Sequence, residues 1–258
     1  MYPKQLSALA AIKTNPELRQ LPYLIKRYLF NKYVVRSNPS SGDSSCKTET
    51  DYSGYEQFEL DIGNDFSIFH SATAFFAYRG ESIPVEQALR EVIRSNPSWR
   101  GMPRHDAVLV QLNNRKKGFA GLRIARVMLL FSFTAKAEHQ ECALVQLFKC
   151  IGDSPDTKTG MWIVEPEYEL RSSTACVGNC PRVYSSGRHP YHSECKAPKL
   201  SVIDVGDIFR LAHLLGVPKG NEPPPKSLTP EKSLDFYDQF YVNRFADMHM
   251  HETLYESR

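Results

Sequence analysis

Four consecutive apolar segments in the middle of the chain constrain its fold more than any other feature. They are rich in β-branched and aromatic residues, and turn-like sequences such as NNRKKG and GDSPDTKTG separate them. This composition and spacing predict an antiparallel meander. The segments are DAVLVQL (106–112), GLRIARVMLLFSF (121–133), ECALVQLFKCI (141–151) and GMWIVEPEYEL (160–170), and SVIDV (201–205) supplies a fifth strand.

Neither face of these strands is cleanly polar. Val127, Leu129 and Phe131 alternate with Met128 and Leu130, so apolar side chains point both ways. Strands of this kind are covered on both sides or curl into a small barrel. We therefore predict an α+β fold around a small antiparallel, barrel-like sheet of about five strands, similar to SH3 and BAH domains.

Helical spacing of apolar residues predicts helices on either side of the sheet. Four segments carry it: 21–33, with Leu24, Ile25, Tyr28 and Leu29; 82–95, with Val85, Leu89 and Val92; 204–215, with Asp204 as the N-cap; and 233–252, with an aromatic stripe of Phe236, Tyr237, Phe240, Tyr241 and Phe245. The predicted organisation is a helical segment (1–36), a linker (37–54), a β-rich domain (55–220) with an insertion at 171–199, and a proline-rich connection with a C-terminal helix (221–258).

Composition limits the class of protein. The chain has 258 residues, 41% of them hydrophobic, which is enough for a sizeable core. Its formal net charge of +3 is too small to indicate nucleic-acid binding by itself, and six cysteines are ordinary usage rather than a disulfide framework. No apolar run reaches the length of about 18 residues that a membrane span needs. We therefore expect a soluble, intracellular protein with reduced thiols and no membrane partner.

Two short basic patches are candidate phosphate contacts. NNRKKG carries Arg115, Lys116 and Lys117 at a predicted hairpin tip, and RSNPSWRGMPRH carries Arg100 and Arg104. The alternative is that these charges only keep a strand edge soluble.

Three cysteines and two histidines cluster within twenty positions, in CVGNCPRVYSSGRHPYHSEC (176–195). Zinc takes four such ligands at tetrahedral corners, and one loop can supply them. The spacing matches no standard zinc-finger pattern, so a loop with free thiols remains the alternative. The candidate ligands are Cys176, Cys180, His189, His192 and Cys195.

Signals for catalysis are weak. The chain has no G-x-S-x-G motif, and GDSPDTKTG lacks the ending of a phosphate-binding P-loop. Asp153 and Glu165 would be candidates for a divergent metal-dependent nuclease, but they fall in a predicted turn and at a strand end. Asp247 and His251 are one helical turn apart, without an evident third metal ligand. We expect no enzyme activity and no small-molecule substrate.

Eight sequence segments occur in the same order as in a known family. They are LPYLIKRYLFNKY, FHSATAFFAY, NPSWRGMPRHDAVLV, ARVMLLFSF, CALVQLF, GDSPDTKTGMWIVEPE, SVIDVGDIFRLAHLL and SLDFYDQFYVNRFADMHMHE. Together they resemble the C-terminal region of fungal Plavaka-type transposase-like proteins, relatives of the KDZ group of DDE transposons. The resemblance covers roughly 21–252, with gaps. The chain departs from it at LLGVPKG, in a shorter segment around Trp99, and in the insertion at 171–199 that holds the Cys/His cluster.

The resemblance implies a role without catalysis. In that family the catalytic carboxylates belong to an RNase H-like domain upstream of this region. The chain is therefore expected to be a non-catalytic, element-derived C-terminal domain in the nucleus, contacting DNA or a chromatin or transposase protein. The alternative is a BAH-like reader of chromatin peptides with an aromatic pocket near Trp162.

Overall fold

The computed structural model describes residues 16–35, 55–58, 66–76, 88–112, 116, 118–172, 194–218, 220 and 223–255. The helices in these residues are α1 (Leu21–Phe30), α2 (Ser233–Phe236) and α3 (Met248–Tyr255). The strands are β1 (Ser67–Phe69), β2 (Ser71–Phe76), β3 (Leu89–Trp99), β4 (Met102–His105), β5 (Ala107–Gln111), β6 (Leu122–Ala135), β7 (Glu138–Ile151), β8 (Trp162–Pro166), β9 (Tyr168–Ser172), β10 (Glu194–Pro198), β11 (Leu200–Asp204), β12 (Ile208–Leu211), β13 (Leu214–Gly216) and β14 (Phe240–Val242).

The predicted meander is confirmed and forms the centre of a larger sheet. Strands β5, β6, β7 and β8 are antiparallel neighbours in a nine-stranded sheet of order β12-β5-β6-β7-β8-β14-β13, with β1 added to β6 and β11 to β7. Only Ala212 and His213 separate β12 from β13. The ends of that path are thus at most about 11 Å apart, which explains why the sheet curls into a half-barrel. The α+β class is confirmed, but the sheet is larger than the predicted five strands.

Both faces of this sheet are covered, as the sequence predicts. On β7, Cys142 and Leu144 pack with α1, whereas Ala143 and Val145 pack on the opposite face with Ile93 of β3. That second face is covered by a separate antiparallel sheet of order β2-β3-β4. Helix α3 packs on a third cluster, built around β5, β8 and β14. The β2-β3-β4 sheet therefore has one face on the core and one face away from it.

The predicted helix 21–33 is confirmed, since α1 buries Leu24, Ile25 and Leu29 on one face. The predicted helix 82–95 is wrong from residue 89 onward, because Leu89–Trp99 form strand β3; its residues 82–87 lie outside the described part of the chain. There the buried side chains follow a period of two, with Ile93 and Ser95 inside. The proline at 97 is tolerated because the pairing register shifts between Asn96 and Trp99, which makes a bulge.

Two further helix predictions are wrong. Asp204 does act as a cap, accepting a hydrogen bond from the Gly206 backbone, but it starts only a short 3₁₀ turn before β12. The aromatic stripe 236–245 is divided between α2 and β14. In β14, Phe240 and Val242 are buried on either side of the half-buried Tyr241, which is strand periodicity. The C-terminal helix is therefore α3, which lies beyond the stripe.

His105 joins the small sheet to the large one and makes stability pH-dependent. Its Nδ1 lies 3.1 Å from the Val127 carbonyl oxygen and 3.3 Å from Ser95 Oγ. Burial, with a further contribution from Arg126, lowers the pKa of His105 below the ordinary 6.5. Folding thus favours the neutral ring, so its contribution to stability is present above about pH 6.5 and is lost as the pH falls through the folded-state pKa.

We expect the free energy of unfolding to fall between neutral and mildly acidic pH, and His105→Asn to flatten that dependence. Asparagine keeps a donor for Val127 but does not titrate in this range. Urea unfolding across a pH series gives the free energy of unfolding of both proteins. The same pH dependence in the native protein and in the variant would contradict the assignment to His105.

Candidate nucleic-acid interface

The hairpin of β3 and β4 presents a basic tip. Trp99 pairs with Met102, leaving Arg100 and Gly101 as a two-residue loop with φ of 51° and 86°. Loops of this kind are type I′ turns, for which Asn-Gly is the favoured sequence. An exposed arginine at the first position is strained, because only small or locally hydrogen-bonded residues adopt positive φ readily. Despite this backbone strain, the residue at the tip is an arginine, which places a guanidinium there.

Three arginines surround the ring of Trp99. The guanidinium carbons of Arg94, Arg104 and Arg100 lie 4.8, 5.7 and 5.9 Å from the centre of the indole. The pairing of Asn96 with Arg104 brings the two strands into register and sets Arg104 beside Arg94. Guanidinium groups at this distance are attracted by the ring, and this contact leaves N–H donors at their edges. The cluster is referred to below as the Trp99 cluster.

Asp106 fixes the base of the Trp99 cluster. One of its carboxylate oxygens accepts a hydrogen bond from Arg104 Nε and the other from the Arg94 backbone N–H, both at 2.8 Å. The Asp106 side chain is only 12% exposed, so it orients Arg104 from beneath. Glu231 is a second nearby acid. Its pKa is lowered mainly by its own backbone N–H and by Thr229, with smaller contributions from Arg104 and Arg100. The cluster therefore keeps an excess of positive charge.

The structure describes three of the five predicted basic residues. Arg100 and Arg104 belong to the Trp99 cluster, together with Arg94, whereas Lys116 lines a separate cavity of about 150 Å³ beside Phe209 and Glu252. Arg115 and Lys117 lie outside the residues that the structure describes.

A cavity of about 300 Å³ beside the Trp99 cluster is lined by more carboxylates than arginines. Its charged lining residues include two arginines, Arg104 and Arg210, against the three carboxylates of Glu91, Asp106 and Asp247. Arg210 is 3% exposed and is held by ion pairs to Glu91 and Asp247. We therefore assign this cavity a structural role.

The Asp247 and His251 pair, one of the two predicted metal sites, lies within the described residues. The Asp247 carboxylate already has partners, since it pairs with Arg210 and accepts a hydrogen bond from the Met250 backbone at the start of α3. His251 stacks on Tyr255. Among the described residues, no group of three or more His, Cys, Asp or Glu side chains is placed to hold a metal.

The Cys/His cluster falls almost wholly outside the described residues. Its first four members, Cys176, Cys180, His189 and His192, lie within 173–193, and of Cys195 only the backbone is described, paired with Arg171 in the β9–β10 hairpin. Zinc binding by Cys176, Cys180, Cys195 and one of the two histidines therefore stays a prediction, which metal analysis of the purified protein tests directly.

The remaining candidates have structural contacts. Trp162 stacks on Phe119 at 5.1 Å between ring centres, and it lines neither of the two cavities above. Glu165 pairs with Lys149 at 2.8 Å, and Asp153 is exposed in a turn.

Sequence reasoning identified the basic segment RSNPSWRGMPRH (94–105), but it did not assign Trp99 or Arg94, the arginine nearest to the Trp99 ring, to the site. With 82–95 assigned to a helix, nothing indicated that these two residues share a face. The helices in the described part of the chain are all too short or too polar to cross a membrane. Comparisons of the chain with protein-family models, with curated proteins and with solved structures give no match.

Proposed function

We propose that this chain is a non-catalytic, transposable-element-derived domain of the nucleus that contacts nucleic acid through the Trp99 cluster. The observation that carries the proposal is the convergence of Arg94, Arg100 and Arg104 on one half-buried indole at a hairpin tip. The resemblance to the C-terminal region of Plavaka-type proteins supports the same class of partner.

The chemistry of the cluster suits phosphate oxygens. A guanidinium binds phosphate through parallel N–H donors, and stacking on an aromatic ring holds it in place before the ligand arrives. Fewer rotamers are then lost on binding, which favours affinity. Asp106 contributes by fixing Arg104 through Nε, which leaves the terminal nitrogens of that guanidinium pointing away from the contact.

Removing the three charges is expected to abolish most of the binding. We expect Arg94→Gln, Arg100→Gln and Arg104→Gln together to weaken binding of a fluorescent DNA oligonucleotide at least about tenfold, because one charge-assisted hydrogen bond alone contributes about 1.5 kcal/mol. Fluorescence anisotropy at low salt measures this, with the DNA supplied both as a single strand and as a duplex.

The matched control removes the same charge elsewhere. Lys149→Gln, Lys158→Gln and Lys196→Gln neutralise three exposed lysines that lie outside β2, β3 and β4. We expect this control to bind within about threefold of the native protein, since it removes the same number of charges without changing the Trp99 cluster. Equal losses in both triple variants would overturn the Trp99 cluster as the binding site.

A substitution of Arg100 is expected to have opposite effects on stability and on DNA binding. Arg100→Asn creates the Asn-Gly sequence that this turn favours, so we expect it to raise the free energy of unfolding by about 1 kcal/mol. The same change removes a charge from the tip and is expected to weaken DNA binding. Urea unfolding and anisotropy on one preparation measure the two effects, and a variant that is stabilised without losing affinity would count against a role for Arg100.

The alternative functions stay predictions. A BAH-like peptide reader requires an aromatic pocket at Trp162, which here packs against Phe119. A nuclease requires carboxylates that converge on metal ions. DNA cleavage with magnesium that disappears on replacing Asp153 or Glu165 would establish it.

A further inference from the structure

The outward face of the β2-β3-β4 sheet continues from the Trp99 cluster. Cross-strand partners point to the same face of a sheet, and successive residues point to opposite faces. The pairs Ser71–Arg94, Thr73–Val92 and Phe75–Arg90 therefore share one face, whereas Ala72–Ile93 and Ala74–Glu91 share the other. The second set faces the core, where Ala74 and Ile93 are buried.

Aromatic side chains lie at both ends of this outward face. Phe75 is 55% exposed, so the face of its ring is accessible to a ligand. Val92 is 37% exposed and lies between Phe75 and the Trp99 cluster along β3. Arg90, the partner of Phe75, lies nine positions before Trp99 along β3. At a rise of about 3.3 Å per residue their Cα atoms are at most roughly 30 Å apart.

The strands contribute only positive charge to this face, and the two acids beside it, Asp106 and Glu231, border the Trp99 cluster. Arg90, Arg94 and Arg104 belong to it, and Arg100 lies at the tip. The one carboxylate in the described parts of β2, β3 and β4, that of Glu91, points to the core side and pairs with Arg210. A surface that carries four arginines, the exposed ring of Phe75 and the half-buried ring of Trp99 complements a polyanion whose bases are free to stack.

We infer that this face binds single-stranded nucleic acid, with bases stacked on Phe75 and Trp99 and phosphates on the four arginines. The inference deepens the proposed function and rests on it. Duplex DNA does not offer the faces of its bases, whereas a single strand does. Aromatic rings on the open face of a sheet, flanked by arginines, provide the stacking surface that single strands use.

The test compares strands and variants on the full chain. The probe is a labelled oligothymidylate of about 12 nucleotides, within the range that single-strand binding folds cover, against a duplex of the same length. We expect the single strand to bind more tightly. Phe75→Ala is expected to weaken single-strand binding about 5- to 150-fold and to leave duplex binding unchanged, since each base stacked on a ring contributes about 1–3 kcal/mol.

Phe245→Ala is the matched control, because Phe245 is 60% exposed in the segment before α3.

A second readout does not depend on removing a ring. In a Trp162→Phe background, Trp99 is the sole tryptophan, and its fluorescence is expected to be quenched by the single strand and not by the duplex.

Each outcome separates the two proposals. Tighter single-strand binding that Phe75→Ala weakens, with quenching of Trp99, supports the inference. Equal or tighter duplex binding that is lost in the triple arginine variant and unaffected by Phe75→Ala overturns the inference and leaves the proposed function standing. Binding of neither probe at low salt overturns both. Self-association of the chain that Phe75→Ala abolishes, without DNA binding, would assign the face to a second copy and also overturn both.

Discussion

Replacing Arg210 with methionine is expected to lower the free energy of unfolding by about 1–3 kcal/mol, because it removes the charged partner of the partly buried Glu91 and of the half-exposed Asp247. Arg210 is 3% exposed and pairs with Glu91 and with Asp247, the latter at 2.7 Å. It also lies 4.4 Å from the Phe76 ring centre, and its Nη1 is 3.0 Å from His249 Nδ1. Its guanidinium is the leading cause of the lowered pKa of Asp247. One side chain therefore connects β3, β12 and α3.

Two further variants distinguish a lost ion pair from a general packing defect. Glu91→Gln in the Arg210→Met background removes a carboxylate that has lost its cationic partner, so we expect it to recover part of the lost stability. Lys149→Met breaks the exposed pair with Glu165 and is expected to cost less than about 1 kcal/mol. Urea unfolding measures all of these variants. A cost for Arg210→Met no larger than that of Lys149→Met would contradict the assignment.

Gly216→Ala is expected to destabilise the fold by about 1–3 kcal/mol or more, because the added methyl group would overlap the ring of Tyr237. Gly216 ends β13, and Tyr237 packs edge-on against both Phe236 and Phe240. The ring is thus held on several sides and cannot move away without disturbing β14.

A double-mutant cycle isolates this contact. In a Tyr237→Ala background the space beside Gly216 is open, so we expect Gly216→Ala to cost much less there than in the native chain. Thermal or urea unfolding of the four proteins gives the coupling. Additive effects would show that the overlap is relieved by movement elsewhere.

The strands were predictable because their signal is local. Segments 121–133 and 141–151 are long, β-branched and separated by a turn, and they form β6 and β7. The helix errors arise where two periodicities coincide. Val85, Leu89 and Val92 are spaced as on a helix, yet Leu89 and Val92 lie partly exposed on a strand. In the aromatic stripe, Phe236 and Phe240 are four apart but belong to a helix and a strand.

The candidate site was predictable only in part. Arg100 and Arg104 were found because local charge is visible in the sequence, whereas Arg94 and Trp99 join them only through the register of β3 and β4. The Arg210 contacts join residues 119 and 37 positions apart. No short-range pattern encodes such pairs, since they result from how the two sheets pack.

The salt dependence of DNA binding tests the central claim most directly. Each phosphate contacted by a cationic side chain contributes about −0.7 to the slope of log K against log salt for a single strand. We predict that the native slope is more negative, by about 2, than that of the Arg94→Gln, Arg100→Gln, Arg104→Gln variant, because three contacts are lost. The same slope in both proteins, or a native slope near zero, would contradict nucleic-acid binding through the Trp99 cluster.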